Sequence, residues 1–214
     1  MEWFQTWSAD FCDTFTRCFI KDDRYMLLLD GIGVTIRVSL IAVLIGIAIG
    51  LLIALCNLSS NKLLKVIGGI YTDVIRGTPS VTQLMIIYFV IFASVNLSKW
   101  IIAAIAFGIN SGAYVSEIIR AGILSVDKGQ TEAGRSLGLS ASQTMTRIVI
   151  PQAVKNIFPA LCNEFIVLIK ETAIVGYVGL MDIQKAGDFI KSATFEAFMP
   201  LIGTAIIYYV LIKI

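Results

Sequence analysis

The sequence predicts an all-α membrane protein with five transmembrane helices, on the basis of its composition and its recurring apolar stretches. Hydrophobic residues make up 57% of the chain and charged residues only 15%, and the mean hydropathy is +0.84. Soluble domains carry about 25% charged residues. Because a bilayer core needs about 20 mainly apolar residues per helix, windows of that size identify the spans. The net charge of +2 favours neither a nucleic acid nor an acidic partner.

The predicted spans differ in how apolar they are. The first is uncharged across residues 38–56, the second contains Asp73 and Arg76, and the fourth is expected to be broken at Pro159. Residues 172–196 contain an apolar run too short to cross, so we predict a re-entrant or interfacial connection there. The predicted spans are residues 32–56, 66–95, 99–120, 148–169 and 197–214, within a transmembrane domain of residues 31–214.

The first 30 residues are predicted to precede the transmembrane domain on the extracytoplasmic side or at the interface. Aromatic residues recur among acidic ones up to residue 24, which is typical of a helix lying on the bilayer; a poorly ordered leader fits equally well. Cys12 and Cys18 can pair if this end faces an oxidising compartment. The lysine and arginine distribution over five spans places the N-terminus outside and residues 124–147 in the cytoplasm.

A polar stretch interrupts the apolar sequence between the third and fourth predicted spans. We name residues 124–147 the polar knuckle, because they are predicted to form two short helices joined by a turn at Gly138, which tolerates a left-handed conformation. Such an element either contacts a partner outside the bilayer or only returns the chain to it. The candidate N-caps are Asp127 or Thr131 for the first helix and Ser140 or Ser142 for the second.

A family motif begins in the polar knuckle and continues to Pro151. EAGRSLG, ending at Gly138, is followed after nine residues by IVIP, ending at Pro151, and this pattern resembles the signature of binding-protein-dependent ABC importer permeases. That signature usually has alanine in place of Gly134 and leucine in place of Ile150. Four segments are similar to the polar amino acid subfamily, which includes histidine, glutamine and arginine permeases: RGTP at 76–79 followed by Gln83, GAYVSEIIRAGI at 112–123, GQTEAGRSLGLS at 129–140 and PQAVKNIFPALCNEFIVLIKETA at 151–173.

The resemblance implies a type I ABC importer permease fold in the bacterial cytoplasmic membrane, with a coupling helix between spans three and four. It implies two ATPase subunits per complex, a second permease subunit that is identical or related, and an extracytoplasmic solute-binding protein. ATP and Mg²⁺ then belong to the ATPase, because this sequence has no GxxxxGK[ST] phosphate loop. We expect no cofactor, metal or catalysis in this chain. The residues implied to couple it to the ATPase are Gln130, Glu132, Ala133, Arg135, Ser136 and Gly138.

Polar residues inside the predicted spans are candidates for substrate contact, because an unpaired charge in lipid costs about 3 kcal/mol on insertion scales. Arg76 suits a carboxylate. Glu164 suits an ammonium group, either that of a cationic side chain or only the α-ammonium. Tyr114 either lines a cavity or packs. The predicted substrate-binding residues are Arg76, Thr78, Gln83, Tyr114, Asn163 and Glu164.

A second set of polar residues is predicted either to gate the pathway or to form internal ion pairs. Asp73 with Arg76, and Glu117 with Arg120, stand three residues apart, which suits ion pairs along one helix face. The end of the fourth span is interpreted as a gate, a docking point or a solvated helix end. The candidates are Asp73, Glu117, Arg120, Lys170, Glu171 and Thr172.

The sequence therefore predicts a permease subunit that moves polar amino acids inward by alternating access, with cationic ones favoured if Glu164 binds the side chain. The main alternative is a secondary amino acid transporter driven by an ion gradient. The small number of spans, the lack of a visible inverted repeat and the absence of histidine count against that alternative. A third class is a membrane scaffold or sensor without transport.

Overall fold

The computed structural model describes residues 10–213, and within that range every regular element is helical. The prediction made for residues 1–9 lies outside the described part. The helices are α1 (residues 10–15, continued by a π turn at Thr16–Ile20), α2 (Tyr25–Leu58), α3 (Lys62–Arg76), α4 (Ser80–Ile86, continued by a π turn at Ile87–Ile91), α5 (Lys99–Leu124), α6 (Lys128–Ser136), α7 (Ala141–Thr144, continued by a π turn at Met145–Val149), α8 (Ile150–Glu171), α9 (Ile183–Thr194) and α10 (Phe198–Lys213), with 3-10 turns at Lys21–Asp23 and Thr172–Val178.

Two helices of the described chain, α2 and α5, are each long and apolar enough to cross a bilayer. The pair α3 and α4, which bends by 105° at its break, qualifies as a third span if it is taken as one unit. The 16 residues of α10 are apolar but fall short of the usual ~20, and α8 does not meet the same criterion. Helix length and composition thus support two or three spans and do not establish the predicted five.

Several predicted boundaries differ from the structure. The second predicted span, residues 66–95, begins earlier, at Lys62, and is divided between α3 and α4. Helix α2 begins at Tyr25, upstream of the expected start near residue 32, because the intervening residues are also mostly apolar. Helix α8 runs unbroken from Ile150 to Glu171 with Pro159 inside it, so the predicted break is wrong. A proline removes one hydrogen bond to the preceding turn, and here the bonds on either side keep the helix continuous.

One of two compact units is formed by residues up to 39, 84–103 and 169 onward. Its core joins the N-terminal segment to α9 through buried side chains that include Phe19, Leu28, Ile183 and Ile190. Asp182 caps α9 by accepting hydrogen bonds from the backbone N–H groups at the start of that helix, and the Tyr208 hydroxyl donates to the same carboxylate at 3.1 Å. Burial raises the pKa of the Asp182 carboxyl above its ordinary value.

The second unit is formed by residues 40–83 and 104–168. Helices α2 and α5 approach closely there, because Gly46 and Gly50 of α2 face Ser111 and Val115 of α5. A Cβ added at Gly46 would lie 2.8 Å from the Ser111 Oγ, and one added at Gly50 would lie 2.6 Å from a Val115 methyl carbon. This small-residue contact, typical of helix packing in membranes, sets α5 against α2.

The bridge that the sequence allowed between Cys12 and Cys18 is not formed, since all four cysteines are free. Cys12 is exposed, whereas Cys18 is completely buried. The Cys18 Sγ lies 3.9 Å from the Thr194 Oγ1, so this thiol packs into the first unit as a small apolar group.

Candidate functional site

The break between α3 and α4 is held by Gln83. Its side-chain Nε2 donates to the Ile75 carbonyl at 2.7 Å and to the Thr78 Oγ1 at 2.7 Å, and its Oε1 accepts from the Asn110 Nδ2 at 2.9 Å. Carbonyls freed where a helix stops need new donors, and Gln83 supplies them. The side chain is only 9% exposed, so both ends of the amide predicted to contact substrate are engaged within the protein.

Glu164 on α8 is buried, with 7% of its surface exposed. One carboxylate oxygen, Oε1, accepts a hydrogen bond from the Ser111 Oγ on α5 at 2.7 Å. Among residues 10–213, no lysine or arginine lies within 4.0 Å of the carboxylate, and Oε2 accepts no hydrogen bond. Because a buried carboxylate is costly without a partner, Glu164 is suited to receive a cationic group. The neighbouring Asn163 is exposed and so does not share this environment.

Arg76, at the end of α3, turns toward α5. Its guanidinium carbon lies 5.4 Å from the centroid of the Tyr114 ring, a cation–π distance, and its Nη1 lies 4.0 Å from the Glu117 Oε2. Arg120 binds Glu117 through two nitrogens, at 3.1 Å and 2.7 Å. The predicted pair of Glu117 with Arg120 is therefore confirmed.

The alternative pair of Asp73 with Arg76 is not formed. Arg76 is directed at Tyr114 and Glu117 instead, and in the described chain no cation lies within 4.0 Å of the Asp73 carboxylate. Tyr114 itself is half-buried, so its ring both packs and supports a charge.

Sequence reasoning missed two residues of this region, Asn110 and Ser111. Both are buried in α5 and supply the side chains that reach Gln83 and Glu164. The signal was a polar pair within an otherwise apolar stretch, immediately before the GAYVSE segment. Asn110, Tyr114 and Glu117 follow a spacing of four and three residues, which places them along one face of α5.

The residues predicted at the end of α8 separate into different environments. Lys170 is exposed, as expected for a solvated helix end. Thr172 is completely buried, and its hydroxyl donates to the Ile169 carbonyl at 2.8 Å. This local bond and the burial make Thr172 part of the packing of the first unit rather than an accessible gate.

The polar knuckle forms the two predicted helices, α6 and α7. Asp127 is the N-cap of α6, with its Oδ1 accepting from the Gly129 N–H at 2.6 Å. Gly138 follows α6 at φ +83°, the left-handed conformation that glycine tolerates. Ser140 caps α7 in a reciprocal capping box with Gln143. The two alternative caps, Thr131 and Ser142, do not serve in this role.

The polar knuckle presents its candidate coupling residues on its surface. Gln130, Glu132, Ala133, Arg135, Ser136 and Gly138 are all exposed, and the adjacent Leu137 is 82% exposed. Gly134 is instead buried, and a Cβ added there would lie 2.8 Å from carbon atoms of both Thr144 and Ile148. This contact explains why glycine suits the position where the motif usually has alanine.

Two helices of bilayer length, a buried carboxylate with no cationic partner among residues 10–213 and an exposed polar knuckle indicate a membrane transport protein. A family model described as "Binding-protein-dependent transport system inner membrane component" matches residues 46–214. The chain belongs to this family and is its permease component, which confirms the resemblance drawn from the sequence.

Relatives and solved structures agree with this assignment. The chain is 43% identical to a putative glutamine transport system permease protein of Rickettsia bellii over 89% of this chain and 88% of that one. It is 42% identical to the arginine transport system permease protein of Bacillus subtilis over 87% and 86%. A crystal structure of an amino acid ABC transporter with histidines matches with TM-score 0.83 at 44% identity over 91% and 92%. A methionine ABC transporter matches in fold at 20% identity and TM-score 0.72, over 88% and 92%.

Proposed function

We propose that this chain is the permease subunit of an ABC importer for polar amino acids, with Glu164 as the group that receives a positive charge of the substrate. The relatives named for glutamine and arginine transport and the neighbouring amino acid transporter structure support the substrate class. The observation that carries the site is the buried Glu164 carboxylate with one oxygen unbonded among residues 10–213. A cationic ligand group there offsets the cost of burying that charge.

The remaining predicted substrate residues divide between two roles in this proposal. Thr78 and Gln83 position the broken backbone after α3, because their side chains bond to one another and to backbone carbonyls. Arg76 and Tyr114 offer a cation and an aromatic face on the same unit. Asn163 is an accessible neighbour of the site rather than part of its buried portion.

The complex in this proposal has the membership and topology of a type I importer. Five spans, with α8 and α10 as the fourth and fifth, place the N-terminus outside and the polar knuckle in the cytoplasm of a bacterium. Two ATPase subunits that bind ATP and Mg²⁺, a second permease subunit and an extracytoplasmic solute-binding protein complete the transporter. The exposed coupling residues from Gln130 to Gly138 are the surface offered to the ATPase, and alternating access delivers the amino acid inward.

Replacing Glu164 with glutamine tests the site. The Glu164→Gln side chain keeps its size and can still bond to Ser111 but cannot attract a cation. We expect the KM for arginine uptake by the reconstituted complex to rise at least 10-fold, and the KM for glutamine to rise much less. A tenfold change corresponds to about 1.4 kcal/mol of binding energy.

Ser111→Ala is the matched variant, because it removes the hydroxyl partner and leaves the carboxylate in place. It should change both KM values by a few-fold at most. Equal losses for arginine and glutamine in Glu164→Gln would instead assign the carboxylate to the α-ammonium. Unchanged kinetics for both amino acids would remove Glu164 from the substrate site.

A further inference from the structure

A polar cavity lies in the same compact unit as Glu164, between α3 and α5, and Glu164 is not part of its lining. It has a volume of about 340 Å³, and its charged lining comprises Lys65, Asp73, Arg76, Glu117 and Arg120. The cavity is open to the surface, and a space of this size is enough for the charged end of an amino acid.

The lining follows one face of α3. Lys65, Gly69, Thr72, Asp73 and Arg76 recur at helical spacing, and at 1.5 Å per residue the stripe from Lys65 to Arg76 extends about 16 Å. The opposite face exposes apolar side chains, namely Leu63, Val66, Ile67, Ile70 and Val74. An apolar face suits lipid, whereas a polar stripe in a membrane helix is expected to line water or a solute pathway.

Charges of both signs remain available in this cavity. The Asp73 and Lys65 side chains are exposed, and within residues 10–213 neither has an ion-pair partner within 4.0 Å. The Arg76 side chain is 45% exposed, and its charged contacts among residues 10–213 are the Tyr114 ring and the Glu117 carboxylate at 4.0 Å. Asp73 and Arg76 stand one turn apart, so a carboxylate and a guanidinium are offered side by side.

The cavity is displaced from Glu164 toward the polar knuckle. Ser111, which binds Glu164, and Glu117, which lines the cavity, are six residues apart on α5, or about 9 Å along the helix. Glu117 is in turn only two helical turns from the end of α5 at Leu124, where the polar knuckle follows. Tyr114 lies between Ser111 and Glu117 on α5, and its ring makes the cation–π contact with Arg76.

We propose that this cavity is a second substrate station, an exit site that binds the zwitterionic end of the transported amino acid on the polar-knuckle side. Arg76 receives the α-carboxylate, and Asp73, one turn before it on α3, receives the α-ammonium. Lys65 adds a positive charge at the other end of the cavity lining, and Arg120 keeps Glu117 in place. The inference rests on the proposed function. Recognition of the two charged backbone groups is thus separated from the Glu164 carboxylate, which bonds to Ser111 at a position about 9 Å along α5 from Glu117.

The mixed charge of the lining favours an amino acid over the headgroup of an anionic lipid. Two carboxylates, Asp73 and Glu117, face the cavity and would repel a phosphate. A zwitterion satisfies the anion and the cations together, which a purely anionic group does not.

The test uses proteoliposomes that hold the complete complex with the binding protein outside and ATP in the lumen. Unlabelled arginine or glutamine, loaded into the lumen, should slow uptake by occupying the exit site. Asp73→Asn should raise the luminal concentration for half-inhibition at least fivefold and Lys65→Gln should raise it by a smaller factor. In each variant this factor should exceed any change in the KM for external substrate. Lys62→Gln is the control, because Lys62 begins the same helix and does not line the cavity.

Luminal agmatine, which lacks the carboxylate of arginine, should inhibit poorly in every variant. The exit site is overturned if luminal amino acid does not slow uptake by the unmodified complex, or if both cavity variants keep its half-inhibition concentration. It is also overturned if the variants respond to the anionic lipid content of the liposomes rather than to amino acid. Absence of ATP-dependent uptake in the unmodified complex would instead reject the proposed function itself.

Discussion

At the scale of single residues, the absence of a side chain at Gly134 allows α6 to pack closely against the helical segment that follows it. The position is buried inside the polar knuckle, and its neighbours Thr144 and Ile148 occupy the space that a Cβ would need. The alanine usual in the motif and the glycine of this chain are therefore alternatives that depend on the facing side chains.

Gly134→Ala tests this dependence. The added Cβ would meet the Thr144 Cγ2 and the Ile148 Cδ1 at 2.8 Å, and such overpacking typically costs about 1–3 kcal/mol. We expect a lower unfolding temperature of the complex and weaker substrate-stimulated ATP hydrolysis. The double variant Gly134→Ala with Thr144→Ser should recover part of both losses, since serine lacks the Cγ2 and keeps the hydroxyl that donates to the Ser140 carbonyl. A double variant as impaired as the single one would contradict this explanation.

Two polar residues of α5 bind side chains that are distant from them in the sequence. Asn110 and Ser111 reach across to other helices, and their partners lie 27 and 53 residues away in the sequence. No local pattern identifies such partners, so sequence reasoning found Gln83 and Glu164 and not the residues that hold them. The same limit applies to Asp73 and Arg76, for which a local ion pair was one alternative, because Arg76 contacts Tyr114 and Glu117 on another helix instead.

At the scale of elements, the polar knuckle is where sequence reasoning succeeded best. Its helices begin at side-chain caps and turn at Gly138 with φ +83°, and each of these signals lies within a few residues of its effect. The sequence left two candidates for each cap, and side-chain geometry selected Asp127 and Ser140.

Ser140→Ala tests the cap of α7. Losing an N-cap typically costs about 1 kcal/mol, and the Gln143 side chain would also lose its reciprocal partner. We expect faster amide hydrogen exchange over residues 141–146 in the assembled complex. Ser142→Ala is the matched variant, because the Ser142 hydroxyl makes no hydrogen bond with any residue in 10–213. Equal acceleration in both variants would show that the cap does not stabilise α7.

Helix α3 is the element with the widest functional consequence. It is amphipathic, with exposed apolar side chains on one face and the charged stripe on the other, and it ends at the backbone break that Gln83 holds. The break was predictable, because Gly77 and Pro79 follow Arg76 in the sequence. The 105° bend between α3 and α4 was not, since a glycine–proline break sets where a helix stops and not the direction in which the chain continues.

At the scale of the whole molecule, family and fold were predictable and the number of spans was not established. The motif around Glu132 and Gly138 is specific enough to identify the family, and the match over residues 46–214 confirms it. Span counting depends on a threshold of about 20 apolar residues. Helix α10 is shorter than this threshold, and α8 is not among the helices that qualify. Pro159 misled the prediction, because a proline marks a weakened hydrogen bond and does not by itself end a helix.

The most direct test concerns which subunit moves the amino acid and which subunit supplies the energy. The proposal assigns binding and passage of the amino acid to this chain and the energy source to a partner that docks on the polar knuckle. The decisive measurement is uptake of labelled arginine and glutamine by proteoliposomes, with and without the ATPase subunits and luminal ATP. We predict uptake only when the ATPase, ATP and the binding protein are all present. Uptake by the permease subunits alone, driven by an ion gradient, would contradict the account.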